Sequence, residues 1–195
     1  SELTYSGNHV AAATVGDLAP RTITLNGFSK AYAMTGWRIG YLCAPQEICD
    51  AALKIHQYVM LCAPVMGQVA ALEGIRRGEE EKDRMVREYR VRRNLFVEGL
   101  NRIGLSCHRP EGAFYAFPSV TETGLSDQEF AEGLLLEKHV AVVPGNVFGS
   151  GGEGHVRCAY AVSREDLARA LQRMEEFVTG CKKKAIPLVR SGHNP

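Results

Sequence analysis

Lys30 and Arg38 stand closest to chemistry in this 195-residue sequence, in the window Asn26-Gly-Phe-Ser-Lys-Ala-Tyr-Ala-Met-Thr-Gly-Trp-Arg-Ile-Gly-Tyr41. Lys30 follows a turn in a stretch rich in apolar residues (Phe28, Ala31, Tyr32, Ala33, Met34). In such surroundings, near another cation, a lysine amine is held neutral and becomes a nucleophile towards a carbonyl. Arg38 lies between Gly36 and Gly40. If this stretch is a strand, those three residues share one face, and the glycines clear space for a ligand beside a guanidinium suited to phosphate or carboxylate. Ser29 offers a hydroxyl to the same anion, or else fixes the turn beside Lys30. The bland alternative is a surface lysine and a surface arginine beside a hairpin.

A third cation, Arg157, belongs to the alternating run His155 to Val162. Val156, Cys158, Tyr160 and Val162 form one face of the expected strand. Arg157, Ala159 and Ala161 form the other, where the small alanines leave room beside the guanidinium. The glycine-rich stretch Gly149 to Gly154 lacks the preceding strand and following helix of a phosphate-binding loop, and reads as a flexible connection.

The elements that must position these residues follow from periodicity. Arg21 to Leu25 and Trp37 to Ala44 read as strands. Gln46 to Met60 carries a helical stripe (Ile48, Ala52, Ile55, Val59), and Pro64 fits the first turn of a further helix running towards Gly74. Charged Gly78 to Lys82 opens a long helix with the stripe Met85, Tyr89, Phe96, Leu100 and Ile103, ended by Gly104. Its arginines alternate with glutamates, which marks a solvated face rather than a nucleic-acid surface. Beyond it, Leu105 to Arg109, Ala113 to Phe117, Val140 to Val143 and His155 to Val162 read as strands. Ser126-x-x-Glu129 and Ser163-x-x-Asp166 are capping-box starts for two helices, the second with the stripe Leu167, Leu171, Met174 and Val178. The resulting fold class is α/β, with a small α/β layer packed on one side of a sheet. Residues 182–195 show no periodic pattern and are expected to be loosely held.

Composition narrows the function. Twenty-three Lys and Arg against 22 Asp and Glu give a net charge of +1, which argues against a nucleic-acid or polybasic membrane partner. No apolar stretch is long enough to span a membrane, and Ser1 to Tyr5 does not read as a signal peptide. Without an initiator Met, the chain reads as a piece of a longer protein. The six cysteines contain no C-x-x-C pair and mostly sit in apolar runs. They are expected to be reduced and buried, placing the protein in the cytoplasm, with no metal site among the scattered histidines.

The combination Ser29-Lys30, Met34-Thr-Gly-Trp-Arg38 and Gly40-Tyr41 resembles the cofactor-lysine signature of class I/II aminotransferases, the fold-type I enzymes dependent on pyridoxal 5'-phosphate (PLP). Leu3-Thr-Tyr-Ser-Gly7, Pro110-Glu-Gly-Ala-Phe-Tyr-Ala-Phe117, Val142-Val-Pro-Gly-Asn-Val-Phe-Gly149 and His155-Val-Arg-Cys-Ala-Tyr-Ala161 extend the likeness across nearly the whole chain. The resemblance implies that Lys30 carries PLP as a Schiff base and that Arg38, with Ser29, holds the cofactor phosphate. It further implies that Arg157 grips the substrate α-carboxylate, with an amino acid as donor, a 2-oxo acid as acceptor, and a homodimer as the working unit. On this likeness, residues 1–78 are the C-terminal part of the large PLP-binding domain, 79–104 a linking helix and 105–181 the small domain. About half of a family member is present. The family's ring-binding Asp, its ring-facing Tyr and its glycine-rich phosphate loop fall before Ser1. The isolated 195 residues are therefore expected to be inactive, with exposed strand edges. Gly27 stands where many relatives place a phosphate-contacting serine. A PLP-dependent lyase on the same scaffold, an aminotransferase-like effector domain of a transcriptional regulator, and a catalytically dead structural piece are the rivals.

Overall fold

The computed structural model describes residues 2–185, which divide into two compact units, the first ending at Arg87 and the second beginning at Glu88. In the first unit, β1 (Thr24–Gly27) pairs antiparallel with β2 (Gly40–Cys43), with Gly27 opposite Gly40. Between the strands lie a single helical turn, α1 (Phe28–Ala31), and a 3-10 turn over Thr35–Trp37. β1 thus starts and ends later than the Arg21 to Leu25 expectation. β2 begins only at Gly40 because Thr35 to Arg38 coil instead of extending.

Phe28, Met34, Ile39 and Ala71 form the first unit's core, with Tyr32, Ala63 and Ala70 packed against it. α3 (Val65–Arg77), capped at its N-terminus by Pro64, lies under this loop. A Cβ on Gly67 would stand 2.7 Å from Ile39, so only glycine admits the close approach of helix and loop. α2 (Gln46–Val59) forms where its periodicity places it, yet it buries none of its residues. Ile55, Tyr58, Val59, Leu61, Val65 and Met66 are all more than half exposed.

The boundary between the units falls within α4 (Glu79–Arg102). The second unit contains an antiparallel sheet in the order β3 (Tyr115–Ala116), β5 (Val156–Ala159), β4 (Val143–Pro144). Phe96, Leu100, Leu105, Phe130, Leu134, Val156, Tyr160, Leu167 and Met174 form its core, drawn from α4, α5 (Asp127–Lys138), α6 (Arg164–Ala185), the sheet and the residues just beyond α4 and β5. Burying side chains of this size stabilises the unit by about 1.5–3 kcal/mol each.

Both expected caps are present. Glu129 N–H donates to Ser126 Oγ at 3.2 Å while Ser126 N–H donates to Glu129 Oε2 at 2.9 Å, and Asp166 N–H donates to Ser163 Oγ at 3.0 Å. Leu105 to Arg109, expected as a strand, pairs with no strand. The Asn101 side-chain amide instead takes both the N–H and the carbonyl of Cys107, each at 3.0 Å, occupying the groups a ladder would use. Gly149 to Gly154, expected as a flexible connection, is held between turns. Gly145 N–H donates to the His155 carbonyl at 2.8 Å, and a Cβ on Gly145 would stand 1.9 Å from the Gly152 oxygen. The expected tail begins inside α6, which runs to Ala185; residues 186–195 lie outside the described ones. Only Cys107 and Cys158 of the six cysteines are buried, while Cys43, at the end of the exposed strand β2, and Cys62, in the exposed turn after α2, are exposed.

Candidate active site

The ladder between β1 and β2 determines where the first two cations go. Ser29 and Lys30 come two and three residues after Gly27, and Arg38 comes two residues before Gly40, its register partner. Phe28 N–H donates to the Ile39 carbonyl at 3.1 Å, extending the pairing one step towards them. Amine, hydroxyl and guanidinium are therefore carried at one end of the same hairpin.

Their backbones differ from the sequence expectation. Arg38 is not in a strand with Gly36 and Gly40 on its face; it is left-handed, at φ 54° and ψ 49°. Ala33, on the other side of the loop, is also left-handed at φ 54°. Two non-glycine residues in this region store strain of about 1–3 kcal/mol each, which persists where surrounding structure dictates it. Nor is Lys30 enclosed by apolar residues. Phe28, Met34 and Ile39 turn into the core, while Lys30, two positions after Phe28 on a helical turn, is exposed and Ser29 half-buried. The hairpin's apolar content builds the platform, and the lysine stands on its outer side.

Arg38 Nη1 donates to the Thr35 carbonyl at 2.9 Å, which folds the side chain back over its own loop. Its other N–H groups have no protein partner among the described residues. A Cβ on Gly40 would stand 3.0 Å from the Asn26 oxygen, so glycine is required for the two strands to close at this end. An amine for an aldehyde, with a hydroxyl and a free-edged guanidinium for a phosphate, suits a phosphorylated carbonyl cofactor.

Arg157 occupies the central strand of the second unit's sheet. Val156 and Cys158 are buried, Arg157 is half-buried and Ala159 exposed, as the alternation requires. Val162 departs from the expected buried face: β5 ends at Ala159, and Val162 is exposed. Tyr115 pairs with Ala159, which puts its ring diagonal to Arg157 across the space the alanine leaves open. The Arg157 guanidinium carbon lies 4.7 Å from the Tyr115 ring centre and 4.6 Å from that of Phe148. The Arg157 side chain makes no hydrogen bond or ion pair with a described residue, while its backbone pairs with Val143. A half-buried guanidinium held only through aromatic rings keeps its N–H groups available to an anion from outside.

Phe148 and Asp127 escaped the sequence reading. Asp127, 6% exposed, accepts the Asn146 N–H at 2.8 Å and so ties down the turn Gly145–Phe148. Backbone N–H groups, that of Asn146 foremost, hold its carboxyl below the usual value. The phenylalanine sits between Val147 and Gly149 in a stretch without periodicity. Only its sequence proximity to the Arg157 strand hinted at a role.

Comparison with known proteins shows the family. The family model for aminotransferase class I and II matches residues 2–174. The chain is 56% identical over 178 residues to the putative aminotransferase YugH of Bacillus subtilis, covering 91% of this chain and 46% of that protein. It is 43% identical over 177 residues to aromatic-amino-acid aminotransferase 2 of Thermococcus litoralis, covering 89% of this chain and 46% of that one. The crystal structure of an aromatic aminotransferase from Pyrococcus horikoshii superposes with a TM-score of 0.89 at 41% identity, covering 93% of this chain and 49% of that chain. The chain belongs to the class I and II aminotransferase family, whose members use PLP. It spans about half the length of the curated relatives it matches.

Proposed function

We propose that this chain carries the cofactor-lysine and carboxylate-binding parts of a PLP-dependent aminotransferase that moves an amino group from an amino acid to a 2-oxo acid. The observation that carries this reading is the β1–β2 register, which delivers Ser29, Lys30 and Arg38 to one end of a hairpin in a chain of this family. When bound, PLP supplies the electron sink that stabilises negative charge at the substrate α-carbon. Lys30 Nζ would be the group that holds the cofactor and, once displaced by the substrate amine, the base that takes the proton at the substrate Cα. Arg38 is left-handed and its guanidinium folds back to the Thr35 carbonyl; its remaining N–H groups and the Ser29 hydroxyl would hold the phosphate. Arg157 binds the substrate α-carboxylate and orients the Cα–H bond.

Residues 1–78 and 105–181 serve as parts of a large and a small domain joined by the helix 79–104. The contact boundary between Arg87 and Glu88, inside that helix, supports the division. The exposed apolar side chains of α2 support a homodimer as the working unit. No helix among the described residues is long and apolar enough to cross a membrane. The near-zero net charge fits action on small molecules rather than on nucleic acid.

The test is an amine-transfer assay on the full-length protein, with ammonia release measured in parallel. Transfer that depends on an added 2-oxo acid and disappears in Lys30→Ala is expected. Stoichiometric ammonia release without a 2-oxo acid would instead make the protein a lyase.

A further inference from the structure

We infer that Tyr115 and Phe148 are positioning residues that hold the Arg157 guanidinium ready for a carboxylate, and that Asp127 fixes the turn presenting Phe148. This rests on the reading of Arg157 as the carboxylate ligand. The two rings reach the cation from different flanks. Tyr115 is on β3 and Phe148 follows β4, and these strands border β5 on opposite sides. An arginine side chain gives up much rotamer freedom when it is fixed. Here two ring contacts remove that freedom before any ligand arrives, without occupying the N–H groups that a carboxylate needs.

Phe148 is itself 50% exposed and packs edge-on against Phe117, at 6.2 Å between ring centres. Its place is therefore set largely by its backbone. That backbone is pinned from three directions: Asp127 to the Asn146 N–H, Gly145 N–H to the His155 carbonyl, and Gly149 N–H to the Asn146 carbonyl at 3.2 Å. Asp127 lies at the start of α5, so the helix, the turn, the ring and the guanidinium form one mechanical chain.

The effect belongs in substrate binding. Phe148→Leu in the full-length enzyme is expected to raise KM for both the amino acid and the 2-oxo acid about 3- to 10-fold with kcat within about twofold. Phe148→Tyr should restore the wild-type values. Asp127→Asn should shift KM in the same direction by less. A readout independent of turnover is the Arg157 Nε–H signal of the full-length protein in a nitrogen-resolved NMR spectrum, titrated with propionate. Phe148→Leu should broaden that signal and weaken the propionate response by the same factor. Should Arg157→Lys leave KM unchanged, the carboxylate reading itself fails. Should Arg157→Lys raise KM while Phe148→Leu changes neither KM nor the propionate titration, the ring clamp fails and the carboxylate reading stands. A fall in kcat at constant KM would also overturn the positioning role.

Discussion

Replacing Arg38 by glycine and, separately, by alanine distinguishes what its backbone costs from what its side chain does. At φ 54° and ψ 49°, a residue with a Cβ stands about 1–2 kcal/mol above its preferred conformations. Glycine removes that strain but gives the unfolded chain extra freedom, an opposing term of about 0.4–1 kcal/mol. Both variants lose the same exposed hydrogen bond to the Thr35 carbonyl, which cancels in the comparison. Arg38→Gly should therefore be more stable than Arg38→Ala by about 0.5–1 kcal/mol. The assay is urea unfolding of the chain without cofactor, followed by fluorescence of Trp37, the single tryptophan, which adjoins the substituted residue. With a denaturant slope of about 2 kcal/mol/M, the glycine midpoint should lie about 0.2–0.5 M above the alanine midpoint. Both variants should lose affinity for the cofactor phosphate alike. An alanine variant as stable as the glycine one would refute the claim that the loop stores strain to aim this guanidinium.

Three further outcomes follow from the second unit and the cysteines. Arg164 and Arg92 hold the Glu88 carboxyl down at about 2, with the Arg164 hydrogen bond the larger cause. Because the folded value is depressed below the ordinary 4.5, the stabilisation is present above pH 4.5 and fades as pH falls towards 2. The groups are solvent-accessible, so Glu88→Gln should cost about 1 kcal/mol at pH 7, and a cost that does not shrink in acid would exclude the ion pairs as its source. Tyr160→Phe removes the donor that meets the Ala113 carbonyl at 3.0 Å from a fully buried ring. It should cost about 1 kcal/mol in thermal or urea unfolding, and no loss would mean that the hydroxyl is not needed to hold the left-handed Ala113. Thiol labelling of the native chain should reach Cys43 and Cys62 first and Cys107 and Cys158 last, since burial pushes both buried thiols upward as well as hiding them.

Much of the scaffold was legible because it depends on local rules. Helical spacing marked α2 and α4 nearly to the residue and the start of α6, and Ser126 with Glu129 marked a start that the structure closes with both hydrogen bonds. Alternation correctly placed Val156 and Cys158 inside and Arg157 on the other face. Failures came where a particular side-chain contact, rather than periodicity, decided the outcome. Leu105 to Arg109 has a strand's composition, but the Asn101 amide takes the backbone groups of Cys107. Arg38 sits in a strand-like pattern, yet Phe28, Met34 and Ile39 must converge on Ala71, and the backbone coils to let them. The same convergence leaves Lys30 exposed, although its sequence neighbours suggested enclosure. At the candidate site, Ser29, Lys30, Arg38 and Arg157 were named from type and spacing. Phe148 and Asp127 were not, because the ring clamp and its anchor are held together by a turn without periodicity, with Phe148 33 residues beyond Tyr115 and 21 beyond Asp127.

The central claim is that the amine of Lys30, and no other, takes the cofactor. Borohydride reduction of the full-length protein after incubation with PLP, followed by proteolysis and peptide mass mapping, tests it directly. The expected result is one pyridoxyl-phosphate mass increment, on the peptide containing Lys30, absent from Lys30→Ala. An increment at another lysine, or one that persists in Lys30→Ala, would contradict it.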